Sequence, residues 1–258
     1  ERTQEMIFEL NELIENKRIS RIPVFIDSPL AIKLTTIYQK YSSDEISARA
    51  FLNFSKESGN PHNYSVSYTI YKDLPCIEIN WFIDGKQAEP WPEAGWISFP
   101  FKVNDPEFKV GRLGGVINPA KDIIKGSDFD FYLVNSGIGL TDNQNAGYSL
   151  CTPDATGISL DRQGLWKYSG YFIPREPNIF VNLFNNQWST NFTEWIEGSW
   201  SAKMFIWSFA DYQNEQSLIT PSEEFRSPLK ATMVSGKPGT LPVHKEGIRL
   251  SRKGVLVT

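Results

Sequence analysis

The chain is poor in histidine and cysteine, with two of each in 258 residues. A hydrolytic zinc centre needs His and carboxylate ligands brought together, and His62 and His244 lie far apart, so a metal site is not written here. Both histidines sit among turn residues, where an imidazole ordinarily titrates in water. Cys76 and Cys151 form neither a CxxC pair nor a disulfide framework, which fits a reducing compartment, the cytoplasm. Positive charge is also scarce: 26 basic residues stand against 30 acidic ones, a net charge of -4, so no nucleic-acid partner is expected. No apolar run approaches the ~18 residues of a membrane span, the N-terminal ERTQEMIFEL is unlike a signal peptide, and no membrane partner is expected. There is no GxSxG elbow to place a nucleophilic serine. GRLGG (Gly111 to Gly115) lacks the spacing of a phosphate loop and reads as a turn that needs flexible backbone.

What is present changes character near residue 45. Over residues 1–41 the pattern predicts helix, strand, helix. Met6, Ile7, Leu10, Leu13 and Ile14 share one helical face, IPVFI (Ile22 to Ile26) suits a buried strand, and Ser28-Pro29 opens a second helix lined by Leu30, Leu34, Ile37, Tyr38 and Tyr41. Beyond YSSDE (Tyr41 to Glu45) the period falls to 2. YSVSYTIY (Tyr64 to Tyr71) alternates cleanly, and CIEINWFI puts Ile77, Ile79, Trp81 and Ile83 on one face. Further strands are expected at Trp96 to Val103, Phe129 to Ser136, Gly147 to Thr152, Asn178 to Asn185 and Trp200 to Phe209. Asn104 to Gly126 reads as irregular, and Asp84-Gly85 as a turn. The fold expected is mainly β, a large antiparallel sandwich over residues 45–258 with a helix-strand-helix appendage over 1–44. GIRLSRKGVLVT begins what read as new strands and stops at Thr258, so the sandwich is expected to be truncated.

One stretch asks for a function. FNNQWSTNFTEWIEGSW, Phe184 to Trp200, holds three tryptophans, three asparagines and two glutamates. An aromatic face packs on a pyranose ring while amides and carboxylates bond its hydroxyls, so the stretch reads as a sugar platform, or equally as two core strands joined by a polar turn. Trp188, Asn191 and Glu194 are the first carbohydrate-binding candidates, with Trp91, Glu93 and Trp96 from EPWPEAGW the second set. Trp195 and Trp200 are assigned to the core. Glu93, Glu194 and Glu197 are the carboxylates available for an acid and base pair, which needs side chains ~5–9 Å apart, but glutamates on a sheet surface are ordinarily solvated. No catalytic residue is assigned.

From about Asn63 onward the chain resembles the C-terminal β-sandwich region of glycoside hydrolase family 38-like, α-mannosidase-like proteins. The residues that carry the likeness are Tyr71 to Phe101, Gly111 to Leu140, the stretch ending at Trp200, and RLSRKGVLVT. The resemblance implies a galactose mutarotase-like supersandwich that scaffolds a catalytic domain and lines a carbohydrate cleft. It also implies that zinc and the nucleophile belong to a catalytic domain missing from this sequence, so no cofactor is expected in this chain. Its partners would be carbohydrate and that domain or partner chain. RTQEMIFELNELIENKRISRIPVFIDSPLAIKLTTIYQKY instead resembles the β-CASP region of metallo-β-lactamase-fold RNA-processing nucleases, PVFIDSPLA being the telling piece. Those enzymes use an HxHxDH motif that is lacking here, which implies a catalytically empty fragment or fusion. A plain structural or interaction module is the remaining alternative.

Overall fold

The computed structural model describes residues 32–41, 44–54, 63–88, 94–164, 170–186, 195–230 and 233. Among them, strands β1 (Ile32–Tyr41), β2 (Glu45–Phe54), β3 (Asn63–Tyr71), β4 (Cys76–Lys86), β5 (Ala94–Pro100), β6 (Glu107–Arg112), β7 (Gly115–Ile117) and β8 (Tyr132–Leu133) are followed by β9 (Gly137–Thr141), β10 (Gly147–Cys151), β11 (Gly157–Leu160), β12 (Asn178–Asn185) and β13 (Gly198–Phe209). Nine of these form one sheet in the order β1-β2-β3-β4-β13-β10-β9-β6-β7, and four form a second in the order β5-β12-β11-β8. Every pairing is antiparallel. The chain is therefore mainly β, as its period-2 patterning predicts.

The two sheets pack through one shared core. Val66, Ile79, Trp81, Ile83, Val110, Ile138, Leu140, Leu150 and Met204 from the large sheet meet Phe99, Tyr132, Ile158, Leu160, Ile179 and Val181 from the small one. Strand β4 shows the mechanism: Ile79, Trp81 and Ile83 point into the core while Phe82 points out. Ile77 shares their face but is 37% exposed. Trp200 packs on Trp81 with ring centroids 6.1 Å apart, as a core residue should, whereas Trp195 is 46% exposed and is not core.

Several expectations are corrected. The second helix expected from Ser28 is instead strand β1 from Ile32, paired with β2 from Ile32↔Phe54 to Tyr41↔Ile46. The run LTTIY is rich in β-branched and aromatic residues, and pairing with β2 decides in favour of the pleat. The first helix, IPVFI, His62, His244 and the C-terminal GIRLSRKGVLVT lie outside the described residues. The stretch read as irregular contains β6 and β7, a short hairpin whose buried Phe108 and Val110 alternate with Glu107 and Lys109. Its turn is the GRLGG segment, and Leu113 and Gly114 both have positive φ, 52° and 77°, the signature of a type I′ hairpin. Asp84-Gly85 is not a turn but part of β4, where Gly85 (φ 58°) and Gly198 (φ 110°) flank a register shift against β13. Of Phe129 to Ser136 only Tyr132–Leu133 is strand.

A helical element missed by the sequence reading follows β13. A π-helical turn (Asn214–Ile219) runs into α1 (Thr220–Arg226). Together they lie on the outer face of the large sheet: Phe225 stacks on Phe205 with centroids 4.1 Å apart, and Trp207 Nε1 and Ser149 Oγ both donate to the Ser217 carbonyl. No helix among the described residues is long and apolar enough to cross a membrane.

Candidate functional site

The two segments singled out for carbohydrate are joined to the fold at one corner of the sandwich. The first, between β4 and β5, leaves the large sheet at Lys86 and enters the small sheet at Ala94. The second, between β12 and β13, leaves the small sheet at Asn185 and enters the large one at Gly198. Lys86 is the register partner of Gly198, and Ala94 is the register partner of Asn185. Two connections that are far apart in sequence thus bridge the same pair of strand ends. Loops at sheet ends are where a rigid sandwich places binding groups.

Lys86 ties the corner together. It is only 2% exposed, and its Nζ donates to the Ile196 carbonyl at 2.8 Å and to the Gln87 carbonyl at 3.1 Å, one in each connection. The ammonium also lies 5.5 Å from the centroid of the Phe184 ring, whose negative face offsets part of the cost of burying a charge. Phe184 in turn meets Trp200 edge-on at 5.4 Å and Trp81 at 6.4 Å. Behind it, Ser199 Oγ accepts from the Gly85 amide at 2.8 Å and donates to Asp84 Oδ1 at 3.1 Å. Asn182 Nδ2 donates to the Gly95 and Phe184 carbonyls, and Asn185 Nδ2 donates to Asn182 Oδ1 at 2.7 Å. The strand ends that carry the candidate segments are therefore held by charge, amide and aromatic contacts.

Trp91, Glu93, Trp188, Asn191 and Glu194 lie outside the described residues. Trp96 is described: it is half-buried on β5 and meets Phe131 and Phe180 edge-on, with centroids 6.4 and 6.5 Å away. It belongs to an aromatic group on the outer face of the small sheet. Glu197 is exposed. Among the described residues no cluster of His, Cys, Asp and Glu could hold a metal ion.

A second polar group was missed, because cross-strand pairing alone assembles it. On the outer face of the large sheet, beside the area covered by α1, Glu78 is held by Tyr71 Oη at 2.8 Å, Asn80 Nδ2 at 2.7 Å and Lys203 Nζ at 3.4 Å. Burial works to raise the Glu78 carboxyl, but the hydrogen bonds from Asn80 and Tyr71 and the Lys203 ammonium outweigh it and hold the group below its ordinary value. Burial, followed by its bond to Glu78, pushes the Tyr71 hydroxyl up to about 12. At neutral pH the pair is thus a carboxylate accepting from a neutral phenol. Phe82, 40% exposed, stands on the same face of β4 as Glu78 and Asn80. The sequence signal was the alternation Glu78, Asn80, Phe82 opposite the buried isoleucines, which marks an outward face that is polar but ends in an aromatic.

The family described as Beta-Casp domain matches residues 3–72, a span that runs through β1 and β2 to the end of β3. No curated protein matches the chain. Among solved structures it is similar to the GH36 α-galactosidase AgaB from Geobacillus stearothermophilus, with 11% identity and a TM-score of 0.41 over 71% of this chain and 28% of that one. It is also similar to a candidate aldose 1-epimerase from Escherichia coli K12, with 10% identity and a TM-score of 0.38 over 69% of this chain and 68% of that one. A galactose mutarotase related enzyme from Lactobacillus acidophilus aligns with 10% identity and a TM-score of 0.36 over 69% of this chain and 73% of its own. The chain spans little more than a quarter of the length of the α-galactosidase, and at such identities the functional reading has to come from the side chains described above.

Proposed function

We propose that this chain is a non-catalytic, carbohydrate-lining sandwich of a glycoside hydrolase family 38-like protein, and that the corner held by Lys86 faces sugar. The observation that supports this reading is the convergence of the two candidate connections on paired strand ends, Lys86↔Gly198 and Ala94↔Asn185. Trp91 and Glu93 belong to one connection, and Trp188, Asn191 and Glu194 to the other, so an aromatic face and hydroxyl-bonding groups are available from both. Both connections fall within segments that carry the family resemblance, alongside Gly111 to Leu140 and RLSRKGVLVT. In this reading zinc and the nucleophile belong to a separate catalytic domain, and the chain alone hydrolyses no glycoside at a useful rate.

Calorimetric titration with manno-oligosaccharides tests the proposal. Trp188→Ala is expected to remove weak binding, a loss of about 1–3 kcal/mol, while the melting temperature stays nearly unchanged. A large fall in melting temperature with no binding to lose would return the tryptophan to the core. Turnover of aryl α-mannosides that disappears in Glu93→Gln or Glu194→Gln would show that the chain carries its own catalytic carboxylates.

The β-CASP match supports a second reading for the N-terminal part, a catalytically empty fragment of a nuclease domain. Tight, salt-sensitive RNA binding in a gel-shift assay would favour that reading over the first.

A further inference from the structure

We propose that the open face of the large sheet across β2, β3, β4 and β13 binds an acidic saccharide, with Arg49 reading its anionic group. The inference rests on the carbohydrate reading for the class of ligand, but on separate residues for the site. Register places Arg49 beside Ser67, Ser67 beside Asn80, and Asn80 beside Lys203, so one row of side chains crosses four strands. At ~4.8 Å between strands the row is about 14 Å long. On one side of it lie Ser47, Thr69 and Glu78, and on the other Phe82 and Ser201, with Ser65, the register partner of Phe82, buried beside them. These rows thus offer two cations at the ends of a hydroxyl and amide row, the Glu78 carboxylate and one exposed aromatic ring, with Glu45 as a second carboxylate on the same face beside Tyr71.

Each group constrains the ligand. Glu78 is an ionised acceptor whose Oε2 takes one donor, Tyr71, and a carboxylate oxygen has room for a second. It therefore suits a ligand rich in hydroxyl donors. Phe82 suits the apolar face of a sugar ring. Lys203 is already shared with Glu78, whereas Arg49 is exposed and makes no ion pair or hydrogen bond among the described residues. Its planar fork matches a carboxylate or sulfate in two parallel bonds. Two strands and two residues separate Arg49 from Glu78, about 12 Å, which exceeds the screening length at physiological salt. An anion at Arg49 consequently escapes the repulsion of Glu78. A polyanion with charge at every unit, such as a nucleic acid or an acidic peptide, would instead lay charge against Glu78.

The test compares an oligomannuronate with the neutral manno-oligosaccharide of the same length and linkage, which differ at the carboxylate, and adds polyglutamate as an acidic polymer without sugar. The full chain and Arg49→Gln are titrated with each. The acidic saccharide is expected to bind about tenfold more tightly than the neutral one, and to lose that advantage in Arg49→Gln and in rising sodium chloride. Equal affinity for the acidic and neutral saccharides, an advantage that survives Arg49→Gln, or tighter binding of polyglutamate would each overturn the inference and leave the sugar-facing corner untouched. Failure of every saccharide to bind would overturn both. Because Arg49 is exposed, the melting temperature of Arg49→Gln is expected to match the parent, which separates lost recognition from lost folding.

Discussion

Replacing Lys86 by methionine isolates what the buried ammonium does at the corner. Methionine keeps an unbranched stem of similar volume, so no large cavity opens. The substitution removes the bonds to the Ile196 and Gln87 carbonyls, each worth ~1.5–3 kcal/mol as a bond from a charged donor. Two effects work against that loss. Burying an ammonium costs several kcal/mol, and that cost disappears with the charge. Gln87 is exposed and Ile196 half-buried, so water can take up the released carbonyls. The expected net change in stability is about 1 kcal/mol. Lys86→Ala removes the stem as well, ~2–3 kcal/mol of methylene burial, and leaves a void, so it should cost about 3–4 kcal/mol. Urea unfolding measures both. Amide hydrogen exchange at residues 87–88 and 195–197 then reports whether the two connections have come loose, and Lys86→Met should accelerate it in both together. If Lys86→Met costs as much as Lys86→Ala, or if exchange in the two connections is unchanged, Lys86 is not the tie that joins them.

Glu107 accepts from Lys109 at 2.6 Å, from Lys121 at 2.5 Å and from Asn118, and the lysine hydrogen bonds hold its carboxyl at about 2. A carboxyl lowered on folding stabilises above its ordinary value of 4.5, and the contribution is lost as pH falls through about 2. With Glu107 36% exposed, screening reduces the effect to ~1 kcal/mol, so Glu107→Gln should melt lower than the parent at neutral pH and the gap should close near pH 2. Phe225→Ala strips the stacking on Phe205 and Trp207 and should cost ~2–3 kcal/mol in chemical denaturation; a change near zero would mean that α1 is not anchored by this ring. Leu113, 90% exposed with φ 52°, occupies a conformation that glycine or asparagine tolerates better, so Leu113→Gly should raise stability by ~0.5–1 kcal/mol in the same experiment.

The strands legible in the sequence are those whose side chains alternate between a buried and an open face. Asn178–Asn185 was delimited residue for residue, and β3, β4, β10 and β13 within a few residues, because a period of 2 is a local property of the chain. The carbohydrate candidates were legible as a local mixture of aromatic and amide residues, and the turn at GRLGG by its glycines. Other features depended on partners. Residues 32–41 carry apolar spacing that suits a helix, and pairing with β2 makes them a strand. The turn expected at Asp84-Gly85 became part of a strand because β13 lies alongside it with a register shift. The π-helical turn and α1 gain their hold from Phe205, Trp207 and Ser149, which lie outside the segment. Composition likewise announces tryptophan, asparagine and glutamate near residues 91 and 188, but only the pairings Lys86↔Gly198 and Ala94↔Asn185 bring the two connections to one corner. The row from Arg49 to Lys203 has no local signature at all. It exists because antiparallel register sets four side chains from distant parts of the chain side by side, and on β4 and β13 that register is supported by burial of Ile79, Trp81, Ala202 and Met204 on the opposite face.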